Sequence, residues 1–213
     1  MPRPLELPEI LPVFPLTGAV LFPRGQLPLN VFEPRYLTMV DWALAGARVI
    51  GMVQPTEPEE HVAKPPLARV GCAGRITSFR ETDDGRYLIT LTGLSRFQIV
   101  EEVTGASPFR SVRANYESYA ADLSAPPEAD FPRDRLTTAL EQFLAERDLK
   151  ADWGAVLDAP PEMLVNALAM LCPFEPAAKQ ALLEAKGWAE RVWTLITLLE
   201  TAAVPAAGSV SIN

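Results

Sequence analysis

One histidine and two cysteines are the side chains of this sequence best suited to metal binding or nucleophilic chemistry. His61 follows Glu57, Glu59 and Glu60, so an imidazole and several carboxylates could in principle surround a metal ion. Pro58 lies among them, and a proline-containing loop does not fix the geometry of its ligands. We interpret the segment as a solvated acidic loop and expect no metal site.

The two cysteines also argue against catalysis. A cysteine nucleophile needs a base and a group that orients that base, and the chain has a single histidine. Cys72 and Cys172 lie 100 positions apart and fit no disulfide framework, which is typical of a reducing compartment. Free cysteines are usually buried. We therefore predict structural thiols, no catalytic residue and no cofactor.

The segment Glu33-Pro34-Arg35-Tyr36 combines a charge pair with a proline and an aromatic ring. Pro34 is expected to open a helix, because proline is well tolerated at the first helical position. Glu33 would then lie near the helix N-terminus, where a negative charge is favoured. An architectural role and direct ligand contact by Arg35 and Tyr36 are both compatible with this pattern.

A second arginine–aromatic pair ends the segment Gly93-Leu94-Ser95-Arg96-Phe97. Gly93 is a candidate for a β-bulge, and Arg96 and Phe97 should point to opposite faces of a strand. Phe97 could lie in the core with Arg96 in an ion pair, or both could contact a ligand. Arginines and aromatics dominate interface energetics. Our candidate peptide-binding residues are Arg35, Tyr36, Arg96 and Phe97.

The first half of the chain has the pattern of short β-strands. None of the 21 prolines falls between Leu67 and Ser107, and such a window suits central strands because proline cannot donate to a sheet ladder. Asp84-Gly85 predicts a hairpin turn, and Arg35 to Ala45 has helical spacing. The predicted strands are Leu11–Leu16, Leu27–Phe32, Val49–Val53, Ala68–Phe79, Arg86–Thr92, Leu94–Val103 and Phe109–Tyr116.

The second half changes to helical periodicity. Four helices with short connections are expected to form a small bundle with Trp188 and Trp193 in its core. The predicted helices are Arg133–Arg147, a helix capped by Asp158 and ending at Leu171, a helix from Pro176 to about Lys186, and a helix beginning at Trp188.

These patterns predict an α+β protein with a barrel-like β lobe followed by a helical lobe. We place the β-rich lobe at 1–118, a linker at 119–129, the helical lobe at 130–204 and a disordered tail at 205–213. Residues 1–118 carry 12 basic and 13 acidic side chains, whereas residues 119–213 carry 7 and 14. Each lobe has more apolar positions than its own hydrophobic core requires, which indicates that the two lobes pack together.

Composition excludes several classes of function. A net charge of −8 is the opposite of what a generic nucleic-acid binder needs to neutralise phosphates. No apolar run approaches the roughly 20 residues of a membrane span, and the N-terminus lacks the apolar core of a signal peptide. We expect a cytoplasmic protein that does not bind membranes.

The sequence resembles the substrate-binding N-terminal (LON) domain of ATP-dependent Lon proteases, and we expect a bacterial protein related to this peptidase family. The resemblance covers roughly residues 10–200 and implies a PUA-like β lobe followed by a helical lobe. The helical segment beginning at Pro176 is similar to the family's C-terminal lobe. The other matching segments are Leu11–Leu16, Leu21–Pro23, Leu27–Tyr36, Ile50–Val53, Val70–Ala73, Asp84–Tyr87 and Gly93–Phe97.

Complete Lon proteases continue into an ATPase module and a Ser–Lys peptidase domain. The present sequence contains no G-x-x-x-x-G-K-[ST] phosphate-binding loop, and none of its four lysines follows a glycine. No segment matches the peptidase. The resemblance therefore implies a stand-alone, non-catalytic module that binds unfolded or peptide segments of client proteins, on the β lobe or between the lobes, with a protease as a further partner.

Two other functions stay open at this point. RNA binding through the PUA-like lobe would use a local cluster of arginines despite the overall negative charge. A small hydrolase would require a convergent polar cluster in a pocket. The arginines of the first alternative are Arg69, Arg75, Arg80 and Arg86.

Overall fold

The computed structural model describes residues 7–57, 64–124 and 131–202. His61, residues 125–129 of the predicted linker and the predicted tail at 205–213 lie outside these ranges. No helix within the described ranges combines the length and the apolar character needed to cross a membrane.

One mixed sheet contains the six strands of the described residues. They are β1 (Ile10–Pro15), β2 (Gln26–Val31), β3 (Val49–Val53), β4 (Val70–Glu81), β5 (Tyr87–Val103) and β6 (Arg110–Asn115). The strand order is β2-β5-β4-β3-β1-β6, and β5 also pairs with β6. The last five strands therefore close into a ring, with β2 attached to β5. Only β1 and β3 pair in parallel among these strands.

The fifth strand is continuous through Gly93, where the sequence predicted a break between two strands. A register shift opposite Ala73 and Gly74 supplies the predicted bulge. A Cβ atom at position 93 would lie 1.9 Å from the carbonyl oxygen of Phe22. Glycine is therefore required because the loop after β1 crosses the strand at this point.

One helix, α1 (Pro34–Ala45), lies between β2 and β3. The described residues after β6 form helices, as the change of periodicity predicted. They are a 3₁₀ segment (Glu117–Leu123), α2 (Arg133–Ala145), α3 (Trp153–Asp158), α4 (Pro161–Leu171), α5 (Pro176–Glu184) and α6 (Trp188–Ala202). The prediction for Asp158 is wrong, because this residue ends α3 and Pro160 caps α4. The cap of α3 is Asp152, whose Oδ1 accepts the backbone N–H of Ala155 at 3.1 Å.

Both parts of the chain share a core. One cluster of buried side chains includes Leu21 and Leu91 from the strand-rich part together with Leu164, Leu182 and Ile196 from the helices. A second, smaller cluster fills the strand ring. The α+β class and the helical C-terminal region are confirmed, and the two parts pack as one hydrophobic body. The exact boundaries at 118 and 129 stay a prediction.

Candidate functional site

Of the first predicted pair, Arg35 is accessible at the surface and Tyr36 is buried. Tyr36 is 4% exposed, and its ring stacks on Phe14 with 4.2 Å between centroids and an interplanar angle of 14°. The guanidinium of Arg35 lies 4.5 Å from the centre of the Tyr36 ring, and its Nε donates to Glu33 Oε2 at 2.9 Å. Arg35 lines a small surface cavity of about 290 Å³. A ligand could reach Arg35 there, whereas Tyr36 is part of the core.

The guanidinium of Arg96 lies in the interior and joins three parts of the fold. Its Nε and Nη2 donate to Oδ2 and Oδ1 of Asp122, each at 2.9 Å. Its Nη1 donates to the carbonyl oxygens of Leu183 at 3.0 Å and Ala185 at 2.5 Å. The ring of Tyr119 lies 4.2 Å from the guanidinium carbon. Arg96 therefore fastens β5 to the 3₁₀ segment and to the end of α5.

The ring of Phe97 fills the interior of the strand ring. Phe97 is fully buried, and a Cβ atom on Gly51 or Gly71 would lie 2.9 or 2.8 Å from its Cζ. Its aromatic neighbour is Tyr116, at 6.0 Å between centroids. No bound peptide can reach Phe97 or Arg96 without opening the fold. We therefore do not retain Tyr36, Arg96 and Phe97 as direct contacts, and the architectural interpretation holds for them.

A second polar junction surrounds the loop that crosses β5. Arg24 has a left-handed backbone conformation with φ 64°. Its Nε donates to Glu162 Oε2 at 2.8 Å, and this ion pair raises the pKa of Arg24. Asn166 on α4 donates to the carbonyl oxygen of Pro23 at 3.1 Å. These contacts attach α4 to the strand-rich part.

Arg191 completes this junction as a buried cation. Its Nη1 donates to Asn166 Oδ1 at 3.1 Å, and its guanidinium carbon lies 4.8 Å from the centre of the Phe22 ring. Within the described residues its Nε has no hydrogen-bond partner. Burial, and secondarily the nearby charge of Arg96, lowers the pKa of Arg191 to about 10. Arg191 is 3% exposed and acts as a buried structural cation at this junction.

An apolar groove of about 610 Å³ lies on the helical side of the molecule, between α2, α3 and α4. We call it the helical groove. Three large apolar side chains at the groove are unusually exposed: Leu149 at 42%, Met163 at 61% and Leu171 at 80%. Exposed apolar surface of this kind marks interaction sites. Its lining includes Leu144, Leu149, Met163, Leu164, Leu168 and Leu171.

Sequence reasoning missed this groove, although α4 carries a signal for it. Leu164 and Val165 are buried, whereas Met163 and Leu171 on the same helix are exposed. A helix with one buried face needs apolar residues on one stripe only. The additional apolar positions indicated a second surface to be covered.

A second groove, of about 540 Å³, lies where the strands meet α5, the region in which the sequence predicted a cleft. Gln54 is 2% exposed, and its Nε2 donates to the carbonyl oxygen of Pro176 at 3.0 Å and to Gln180 Oε1 at 3.1 Å. Glu57, Glu175 and Glu184 lie along the lining. These hydrogen bonds link β3 and α5 at the floor of the second groove, so the polar groups of Gln54 are already paired.

The metal-ligating side chains and the two thiols were the strongest candidates for catalysis in the sequence. No three histidine, cysteine or acidic side chains in these parts come together as metal ligands. Both cysteines are buried thiols, and burial raises the pKa of Cys172 to about 11 and that of Cys72 still further. Neither thiol is therefore an activated nucleophile.

The arginines proposed for RNA are distributed along β4 and its flanks. Arg69 precedes β4 and Arg86 follows the hairpin turn, while Arg75 and Arg80 lie on the strand. Arg86 Nε is 2.8 Å from Asp84 Oδ2, so this cation is locally neutralised. RNA bases would also need aromatic rings to stack on. Among the aromatic pairs of the described residues, only Phe79 with Tyr87, at the hairpin, lies near these arginines.

Comparisons with solved structures establish the fold. A Lon N-terminal domain protein from Xanthomonas campestris is 23% identical with a TM-score of 0.59, over 89% of this chain and 96% of that chain. The N-terminal domain of the Mycobacterium avium complex Lon protease is 18% identical with a TM-score of 0.59, over 89% of this chain and 97% of that one.

Sequence comparisons point to the same group. A Lon protease of Roseiflexus castenholzii is 28% identical over 92% of this chain, and Lon protease 2 of Thermus thermophilus is 27% identical over 91%. The chain spans 25% and 24% of the lengths of these two relatives. The profile of the ATP-dependent protease La (LON) substrate-binding domain matches residues 10–201. The chain therefore belongs to the LON substrate-binding domain family.

Proposed function

We propose that this chain is a non-catalytic recognition module that binds exposed apolar segments of client proteins in the helical groove. The observation that carries the proposal is the exposure of Met163 and Leu171 along an apolar groove of about 610 Å³. Water contact with these side chains is unfavourable, and an apolar client segment would relieve it. Unfolded proteins expose such segments, whereas folded proteins bury them.

The groove suits recognition because its floor is held by the folded core. Leu164 and Leu140, which line it, are 3% and 1% exposed and belong to the shared core. A preformed apolar groove binds with little ordering cost on the side of the protein. The family description as a substrate-binding domain supports the same use. Delivery of clients to a protease, and residence in the cytoplasm, are further parts of this proposal.

The test is the affinity for a permanently unfolded protein, fluorescein-labelled carboxymethylated α-lactalbumin, measured by fluorescence anisotropy. The double variant Met163→Ser/Leu171→Ser should weaken binding about tenfold or more, because one well-buried apolar side chain at an interface is worth about 1.5–3 kcal/mol. Both residues are exposed, so the circular dichroism spectrum and melting temperature should not change.

The matched control removes two apolar side chains of similar exposure elsewhere. Phe32 and Val100 are 61% and 60% exposed and lie in the strand-rich part. The variant Phe32→Ser/Val100→Ser should bind the unfolded protein within twofold of the wild type. Equal weakening by both double variants would show nonspecific adhesion and would overturn the groove as the site.

Two further measurements separate the other classes of function. An oligouridine RNA should bind weakly or not at all at moderate salt, and salt-sensitive RNA binding without affinity for unfolded protein would replace our proposal with nucleic-acid recognition. The purified chain should neither hydrolyse ATP nor cleave casein. ATP turnover that persists through repurification would contradict the non-catalytic assignment.

A further inference from the structure

The second groove combines an apolar interior with a concentration of negative charge. One of its walls is α5, and the other is the segment that follows β3. Among the described residues that line it, none is Lys, Arg or His, whereas three are glutamates. A ligand for this groove should therefore combine apolar and positively charged groups. The apolar lining residues are Pro55, Ala68, Pro176, Ala177 and Ala181, and the glutamates are Glu57, Glu175 and Glu184.

The three glutamates receive no neutralising charge from the protein itself. Each is exposed, and none forms an ion pair within the described residues. Glu184 is the last residue of α5, where a negative charge is unfavourable because the helix dipole is negative at this end. Its Oε1 accepts a hydrogen bond from the neutral amide of Gln180 at 2.7 Å. A bound cation would relieve the unfavourable charge.

The cations and the polar floor next to the groove are already paired. Lys179 on α5 is 8% exposed, and its Nζ donates to the carbonyl oxygen of Met170 at 2.9 Å. Arg96, beside the end of α5, is buried in its ion pair with Asp122. The amide oxygen and the amide nitrogen of Gln54 both have hydrogen bonds within the protein. The carboxylates are therefore the groups left to contact a ligand.

The distance between two of the carboxylates sets the spacing of the ligand's charges. Glu175 caps the N-terminus of α5 and Glu184 ends the helix. Nine residues at 1.5 Å each separate their backbones by about 13 Å along the helix axis. An extended chain covers this distance in about four residues, and positions i and i+4 of a strand share one face. Two cationic side chains four positions apart would reach both carboxylates.

We propose that the second groove binds an extended basic segment of another protein, with apolar side chains against α5 and cationic side chains at Glu175 and Glu184. A second copy of this chain does not fit, because its net charge is −8 and no two of its 19 basic residues lie four positions apart. That the other protein is an unfolded client rests on the proposed function. The affinity of the groove for a basic segment does not.

The groove is tested first with short peptides, labelled with fluorescein and titrated by fluorescence anisotropy. The heptapeptide AKVAVKA carries two lysines four positions apart, and AQVAVQA should bind about fivefold or more weakly at 50 mM salt, as expected for two exposed ion pairs. The difference should shrink below about twofold at 500 mM salt because the charges are screened. The peptide AVKKVAA has the same composition with adjacent lysines and should also bind more weakly. Equal binding of AKVAVKA and either control peptide at 50 mM salt would overturn the proposal.

Protein variants locate the binding site. Glu175→Gln/Glu184→Gln should lower the affinity for AKVAVKA about fivefold without changing the circular dichroism spectrum, since both side chains are exposed. Glu141→Gln/Glu146→Gln, at two exposed positions of α2 and its C-cap, makes the same change in net charge and should bind as the wild type does. Equal weakening by the two variants would show general attraction by the acidic protein and would overturn the site. Weaker binding of AKVAVKA by Met163→Ser/Leu171→Ser would place the peptide in the helical groove and would also overturn it.

Selection among clients is tested with two unfolded proteins of opposite charge. The basic one is reduced, carboxamidomethylated ribonuclease A, and the acidic one is carboxymethylated α-lactalbumin. Glu175→Gln/Glu184→Gln should weaken binding of the basic protein about fivefold and leave that of the acidic protein unchanged. Unchanged binding of the basic protein, or equal losses for both, would overturn selection of basic clients. Absence of binding to either protein by the wild type would remove the proposed function, whereas the heptapeptides would still decide whether the groove binds a basic segment.

Discussion

Arg96 and Asp122 form a two-point ion pair in the interior, with both nitrogen–oxygen distances at 2.9 Å. The side chains are only 4% and 8% exposed. Asp122 also accepts the backbone N–H of Arg96 at 3.0 Å, so its carboxylate has little remaining capacity for other donors. The pair lies at the centre of the junction between β5, the 3₁₀ segment and α5, and it fixes the positions of these three elements relative to one another.

Removing one partner of this pair should be severely destabilising. Arg96→Met leaves the Asp122 carboxylate buried without its cation and leaves the carbonyl oxygen of Leu183 without its donor. We expect the free energy of unfolding, measured in urea, to fall by about 3–5 kcal/mol. Adding Asp122→Leu should restore part of this loss. The control Arg86→Met breaks an exposed pair and should leave stability unchanged; equal losses in both variants would contradict the assignment.

Gly93 should tolerate no side chain. Gly93→Ala would place a Cβ atom 1.9 Å from the carbonyl oxygen of Phe22 and 3.2 Å from Cα of Pro23, and backbone atoms cannot rotate away. We expect a loss of about 3 kcal/mol or more in thermal or urea unfolding, at the upper end of the range for overpacking. Gly105→Ala is the control, because a Cβ atom added there would meet no atom of a non-neighbouring residue within 4 Å. A Gly93→Ala protein as stable as Gly105→Ala would show that the crossing loop can move.

Local sequence patterns predicted the helices and strands well, because each has its own hydrophobic periodicity and ends at turn-forming residues such as proline and glycine. The strand Val49–Val53 and the helix beginning at Trp188 agree with the structure. Trp193 was expected in the bundle core but is 48% exposed, with the guanidinium carbon of Arg135 5.1 Å from the centre of its ring. Helical spacing identifies a face, but it does not determine where that face ends.

The candidate site was harder to predict because it depends on contacts distant in sequence. Arg96 finds Asp122 26 positions away and Leu183 87 positions away, and nothing local marks those partners. The helical groove likewise needs three helices placed side by side. Some motif residues, such as Phe97, are of a type suited to recognition, but in this fold they pack inside the strand ring.

Tyr36 should behave as a core residue and not as a client contact. Its ring is stacked on Phe14 and is 4% exposed, so Tyr36→Ala should lower the free energy of unfolding by about 3–5 kcal/mol, the range for loss of a buried aromatic side chain. Affinity for carboxymethylated α-lactalbumin, corrected for the folded fraction, should match that of the wild type. Weakened affinity with an unchanged melting temperature would return Tyr36 to the binding surface.

The buried thiols should make stability fall at alkaline pH. Burial raises the pKa of Cys172 from 9.0 to about 11, so the unfolded chain releases this proton at lower pH than the folded chain. Stability from the protonated thiol is complete below pH 9 and is lost as pH rises to about 11, with a slope of up to about 1.4 kcal/mol per pH unit. We expect urea unfolding at pH 8, 9.5 and 10.5 to show this decline in the wild type. Cys172→Ala should reduce the slope while lowering stability at pH 8 by a constant packing loss, and parallel curves for the two proteins would show that the thiol does not contribute.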